Sequence, residues 1–95
     1  MIIAIDFDDT FTADPVLWSQ FIRIAKENHE VVCVTARRNT KENQLFLSSE
    51  FLEYGIKIPI YFCNLNSKIE MMYRYDVHVD IWIENDPMSL VHGVA

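Results

Sequence analysis

The sequence predicts an α/β fold: a small, mostly parallel sheet with helices on both faces. Two observations carry this. Short apolar runs of strand length alternate with longer stretches at helical spacing, and Asp-Pro pairs and a Gly stop mark boundaries between them. Such βαβ alternation implies right-handed crossovers between neighbouring parallel strands.

Taken in order, MIIAI (1–5) reads as a strand buried on both faces, since its apolar run has no alternation. Asp14-Pro15 supplies an N-cap with Pro at the first helical position, and Leu17, Phe21, Ile24 and Ala25 follow at helical spacing. VVCVT (31–35) is a second buried strand. Asn39 and Glu42 resemble a capping box that opens a helix to about Tyr54, ended by Gly55. IPIYF (58–62) is a shorter strand, and Pro59 places it at a sheet edge. Asn66 or Ser67 caps a helix through about Tyr75. VDIWI (79–83) is the fourth strand, and Asp86-Pro87 repeats the cap-and-proline signal for a short last helix.

The 95 residues suit a single domain over 1–95. Hydrophobic residues make up 51%, with 2 Gly and 3 Pro, which argues against disorder. There is no apolar run of membrane-spanning length, and Asp6 interrupts the N-terminal apolar stretch too early for a signal peptide. Cys33 and Cys63 lie in apolar stretches without metal-like spacing, so reduced core thiols and a cytoplasmic location are expected. A net charge of −6 argues against a general electrostatic grip on nucleic acid. Trp18, Phe21, Phe46, Phe51 and Trp82 are expected in the core. Met71, Met72, Tyr73 and Tyr75 are harder to bury together, and part of that stretch is read as an exposed apolar patch, a surface for a partner or a homo-oligomer.

Ligands of open parallel sheets bind outside the carboxyl ends of the strands. Polar residues fall at that edge: Asp6 ends the first strand, Thr35 the second, and Glu84-Asn85-Asp86 follow the fourth. Lys68 stands in the first turn of the preceding helix, whereas Lys57 sits before a strand, at the wrong edge. This set suits phosphoryl transfer. A carboxylate attacks phosphorus, and Mg²⁺ held by oxygen ligands relieves the repulsion between carboxylate and phosphate. A Lys and a hydroxyl stabilise the equatorial oxygens, and a second carboxylate two residues on serves as acid and base. Other phosphate chemistries fail on spacing. A Cys-x5-Arg cradle needs Arg where Asn39 and Ile69 stand, and there is no Gly-rich phosphate loop.

IIAIDFDDT resembles the first motif of the haloacid dehalogenase (HAD) superfamily, hhhDxDxT, with Asp6, Asp8 and Thr10 in register. VVCVT is similar to the second motif, Lys68 to the third and IWIENDP to the fourth, all in order over residues 1 to about 88. The resemblance implies a three-layer, Rossmann-like α/β/α fold and a phosphatase working through an aspartyl-phosphate. Asp6 would be nucleophile and metal ligand. Asp8 would be general acid/base, its main-chain carbonyl also on the metal. Thr35 and Lys68 would hold the phosphoryl group, and Thr10 would support the loop. TAR resembles the Thr/Ser-x-Arg stretch of several such phosphatases, which assigns Arg37 to phosphate. The chain departs from the pattern at Asp9, where Gly is frequent, and at the fourth motif, where either Glu84 or Asp86 would reach the metal.

Neither position where such proteins carry a cap domain has room for one, so a capless, open site is expected. The substrate classes left standing are a small phosphate ester, a nucleotide, a polynucleotide end or a phosphoprotein, with Arg37, Arg38 and Lys41 as a local basic patch. The competing class is a weak or non-catalytic HAD-like module that uses the acidic rim to bind a metal or a partner.

Overall fold

The computed structural model describes residues 1–93. Four parallel strands form one sheet in the order β3-β2-β1-β4. They are β1 (Ile2–Ile5), β2 (Glu30–Thr35), β3 (Ile60–Phe62) and β4 (Ile81–Ile83). Between them run α1 (Pro15–Ala25), α2 (Lys41–Glu53) and α3 (Lys68–Arg74), and α4 (Met88–Val91) follows β4.

The inner strands explain their own sequences. β1 and β2 have neighbours on both edges, so consecutive residues are buried whichever way they point. Ile5, Val31 and Cys33 join Ile22 of α1 and Leu47 and Phe51 of α2 in one cluster. Ala4, Val32 and Val34 join Cys63 and Met72 of α3 in another. The strand residues of the two clusters alternate, so the clusters lie on opposite faces of the sheet. Cys33 and Cys63 are free and buried. Burial pushes both thiols up, Cys63 to about 11.

Several helix ends match their sequence signals. Asp14 caps α1 by accepting from Leu17 N at 3.1 Å, with Pro15 at the first position. Gly55, at φ +73°, closes α2: Ile56 N donates to Phe51 O and Gly55 N to Leu52 O, the paired bonds of a Schellman motif. Ser67 caps α3. Pro59 precedes the edge strand β3, and its carbonyl accepts from Cys33 N.

Other expectations are corrected. Thr40, not Asn39, caps α2, because its hydroxyl is the group that reaches Asn43 N, at 3.1 Å. α4 begins without a side-chain cap. Asp86 instead offers its main-chain carbonyl, which accepts from Ser89 N at 3.0 Å and from Ser89 Oγ at 2.8 Å. On α1, Leu17 and Ile24 are exposed, and the helix turns Trp18, Phe21, Ile22 and Ala25 inward. Phe46 is also largely exposed, although its ring meets Phe7 edge-on at 6.0 Å. Of the 71–75 stretch, Met72 is buried and Tyr73 exposed. No helix among the described residues is long and apolar enough to cross a membrane.

The strand order reverses beside β1. The chain steps outward from β1 to β2 and β3, then crosses back to place β4 on the other side of β1. The crevice at the carboxyl ends of β1 and β4 is therefore the point where an open α/β sheet offers a binding site.

Candidate functional site

Asp6 is the first residue past β1 and extends the ladder, its N–H donating to Ile83 O at 2.9 Å. The chain then makes one wide turn over Phe7–Phe11, in which Phe11 N donates to Asp6 O and Thr12 N to Phe7 O. Phe7 anchors this turn. Its fully buried ring lies 5.6 Å from Phe51 and 6.2 Å from Phe11, so the residues on either side keep to the rim. Asp8 is extended, and Asp9 is left-handed at φ 62°. That conformation favours Gly and is tolerated by Asp, which gives the Asp9 departure a physical reason.

Lys68 opens α3 and is almost wholly buried. Two contacts place it. Ser67 Oγ accepts from Glu70 N and donates to Leu90 O at 2.7 Å, tying α3 to α4. The preceding loop is strapped to the one after β2, with Leu65 N donating to Ala36 O and Asn64 N to Arg37 O. Lys68 Nζ then donates to Asp6 Oδ1 at 2.7 Å and to Glu84 Oε1 at 2.5 Å. One ammonium thus serves two carboxylates, both also largely shielded from water.

The remaining partners are equally specific. The Thr10 hydroxyl donates toward Asp6 Oδ2 at 3.2 Å and stands the same distance from Asn85 Oδ1. Ser89 Oγ bonds Glu84 Oε1, while Glu84 Oε2 is buried with no hydrogen-bond partner among the described residues. Burial, then the neighbouring Glu84, pushes the Asp6 carboxyl up to about 7, with Lys68 pulling the other way. Burial draws the Lys68 ammonium down, but its bonds to Asp6 and Glu84 outweigh this and leave it raised. One ammonium set against two carboxylates leaves the inner site short of positive charge.

Asp6, Asp8, Lys68, Glu84 and Asp86 line one cleft of about 180 Å³, together with Asp9, Asn85, Ser89 and Ala36. Glu84 lies in the interior of this group and Asp86 on its exposed edge. Thr35 ends β2 as expected but is fully buried, its Oγ accepting from Arg37 N at 3.2 Å, and Ala36 takes its place in the cleft wall. Arg37 does not line the cleft either, because its guanidinium is closed on Asp8.

The oxygen-rich set suits a hard cation. Mg²⁺ takes one or two carboxylates and completes its shell with water and substrate oxygens. No group of three or more His, Cys, Asp or Glu side chains is arranged around a common metal position among the described residues. The inner carboxylates that could contribute are fewer: Asp6 and Glu84, whose Oε2 has no hydrogen-bond partner among the described residues. Ser89 and Asn43 carry contacts that sequence patterns did not mark.

No protein-family model, curated protein or solved structure matches this chain.

Proposed function

We propose that this chain is a Mg²⁺-dependent phosphatase, a phosphoric monoester hydrolase of the HAD-like kind, built on a three-layer Rossmann-like core with an open, capless site. One observation carries the reading: the Lys68 ammonium is held between Asp6 and Glu84 at the strand-order reversal. A buried nucleophile, a buried cation and a second acid at one strand edge are the parts that phosphoryl transfer needs. The two hydrophobic clusters on opposite sheet faces support the layered architecture.

Asp6 is the nucleophile in this reading and Asp8 the acid/base. Lys68 binds the transferring phosphoryl group. Thr35 shapes the turn at Ala36 from beneath. Asp6, the main-chain carbonyl of Asp8 and Glu84 would hold Mg²⁺, with Asp86 as the outer alternative, and the unpartnered Glu84 Oε2 supports that choice. When bound, the ion supplies positive charge against the repulsion between carboxylate and phosphate oxygens. Asp9 and Asp86, both exposed, line the cleft beside the wide turn at Phe7–Phe11, which supports an open site. An open site is compatible with small phosphate esters, nucleotides, polynucleotide ends or phosphoproteins as the substrate class of this reading.

The test is hydrolysis of a generic aryl phosphate in Mg²⁺, abolished in Asp6→Asn while circular dichroism stays unchanged. Failure of turnover with Mg²⁺, Mn²⁺ and Co²⁺, together with no binding of beryllium fluoride, would replace the enzyme with a non-catalytic HAD-like module.

A further inference from the structure

Glu84 is held by one oxygen only. Its side chain is 4% exposed, and Oε1 accepts both from Lys68 Nζ, at 2.5 Å, and from the Ser89 hydroxyl. Oε2 is buried too and has no hydrogen-bond partner among the described residues. The two donors come from α3 and α4, and Ser67 Oγ ties these helices together at Leu90 O. Lys68, Glu84 and Ser89 all line the cleft that holds Asp6.

The Ser89 hydroxyl has one hydrogen and two acceptors in reach, Glu84 Oε1 and Asp86 O. Asp86 O already accepts from Ser89 N, and a carboxylate is the stronger acceptor, so the hydrogen belongs to Glu84. The last torsion of a glutamate is broad, so its rotamer preference does not fix which oxygen is left free. Lys68 does not fix it either. An ammonium is a compact point charge with rotatable donors, and a carboxylate can turn about it to present both oxygens. The directed O–H of Ser89 supplies the missing constraint. With it in place, Oε1 is bonded twice and Oε2 stays open.

Resting on the Mg²⁺ site of the phosphatase reading, we propose that Ser89 is a positioning residue that makes Glu84 a one-oxygen ligand and so selects Mg²⁺ over Ca²⁺. Mg²⁺ takes single carboxylate oxygens in near-ideal octahedral geometry and keeps several of its waters. Ca²⁺ collects about six to eight oxygens and readily takes both from one carboxylate. A glutamate with one oxygen bonded to two donors meets the first demand and not the second. Without the hydroxyl, Oε1 keeps a single bond. The carboxylate can then turn both oxygens to Lys68, which weakens Mg²⁺, or give both to a larger ion, which favours Ca²⁺. Either way the preference for Mg²⁺ shrinks.

The experiment is calorimetric titration of MgCl₂ and of CaCl₂ into the full chain and into three variants, at one pH and ionic strength. The natural chain should bind Mg²⁺ more tightly than Ca²⁺. Ser89→Ala should shrink the ratio of the two affinities by about tenfold or more, the worth of one hydrogen bond to a charged group. Ser89→Thr, which restores the hydroxyl, should stay within about threefold of the natural ratio. Ser89→Cys, of similar size but a weak donor, should shrink the ratio and carries the test if the Ala variant does not fold. Loss of packing alone would weaken both ions equally. The natural ratio in every folded variant, or a natural chain with no preference for Mg²⁺, would therefore overturn the proposal. Binding of neither ion to the natural chain would overturn the metal site and the proposal together. A Ser89-dependent ratio without turnover of an aryl phosphate would support the proposal and overturn only the catalytic part of the reading beneath it.

Discussion

Lys68 Nζ lies 2.7 Å from Asp6 Oδ1, an ammonium on a crossover helix meeting a carboxylate just past the end of an inner strand, both shielded from water. Sixty-two positions separate them in the chain, and Glu84 shares the same ammonium from the other side. Removing the cation leaves two carboxylates facing each other out of solvent. Lys68→Met should therefore destabilise the fold by about 3–5 kcal/mol in chelator, the cost of breaking a buried pair. Urea unfolding of the two proteins measures it, and a loss below about 1 kcal/mol would show that the pair is not structural.

The raised Asp6 carboxyl gives stability a pH dependence in metal-free buffer. Its value is about 7 in the fold against 3.8 in the unfolded chain, so between these the native state binds more protons. Its contribution is full below about pH 4 and declines as pH rises through about 7. Asp6→Asn removes this titration. The stability difference between the natural chain and Asp6→Asn should move against the natural chain over that window, read by urea unfolding in chelator. A difference that stays flat contradicts the environment described for Asp6.

Much of this was legible because the responsible physics is local. Continuous apolar runs announced β1 and β2, and Asp14-Pro15 and Gly55 fixed helix ends through backbone conformation alone. The site residues were legible as strand-end positions, and Asp6, Asp8, Lys68, Glu84 and Asp86 do share one cleft. What escaped depends on register or on distance. Asn39 and Thr40 are both good caps, and one residue of register decides between them. The Arg37–Asp8 fork joins residues 29 apart, and no local spacing distinguishes an arginine aimed at phosphate from one aimed at a carboxylate. Phe46 looks like a core residue in sequence, yet its ring lies beneath a guanidinium at the surface.

The fourth-motif ambiguity between Glu84 and Asp86 has a geometric answer to test. Glu84 is shielded, bonded to Lys68 and Ser89, and has one unpartnered oxygen, whereas Asp86 is exposed. Glu84→Gln should weaken Mg²⁺ binding by about tenfold or more, because it replaces an ionised oxygen with a neutral amide. Asp86→Asn should stay within about threefold. Calorimetric titration of Mg²⁺ into each variant checks this, and the reverse order would assign the metal to Asp86.

Asp9 occupies the left-handed position of the wide turn at φ 62°. Asp9→Gly should leave stability unchanged or slightly higher. Asp9→Val should cost about 1–2 kcal/mol, because a β-branched side chain clashes with the following carbonyl there. Thermal unfolding of both variants reads the effect, and equal stability would mean that the turn relaxes to a different backbone path.

As the proposed nucleophile, Asp6 would form a covalent bond to phosphorus. Rapid acid quench during turnover of an aryl phosphate in Mg²⁺, followed by peptide mass spectrometry, tests it most directly. One phosphoryl group is expected on the peptide carrying Asp6 in the natural chain and none in Asp6→Asn. Turnover with no phosphorylated Asp6, or with the group on another residue, would contradict it.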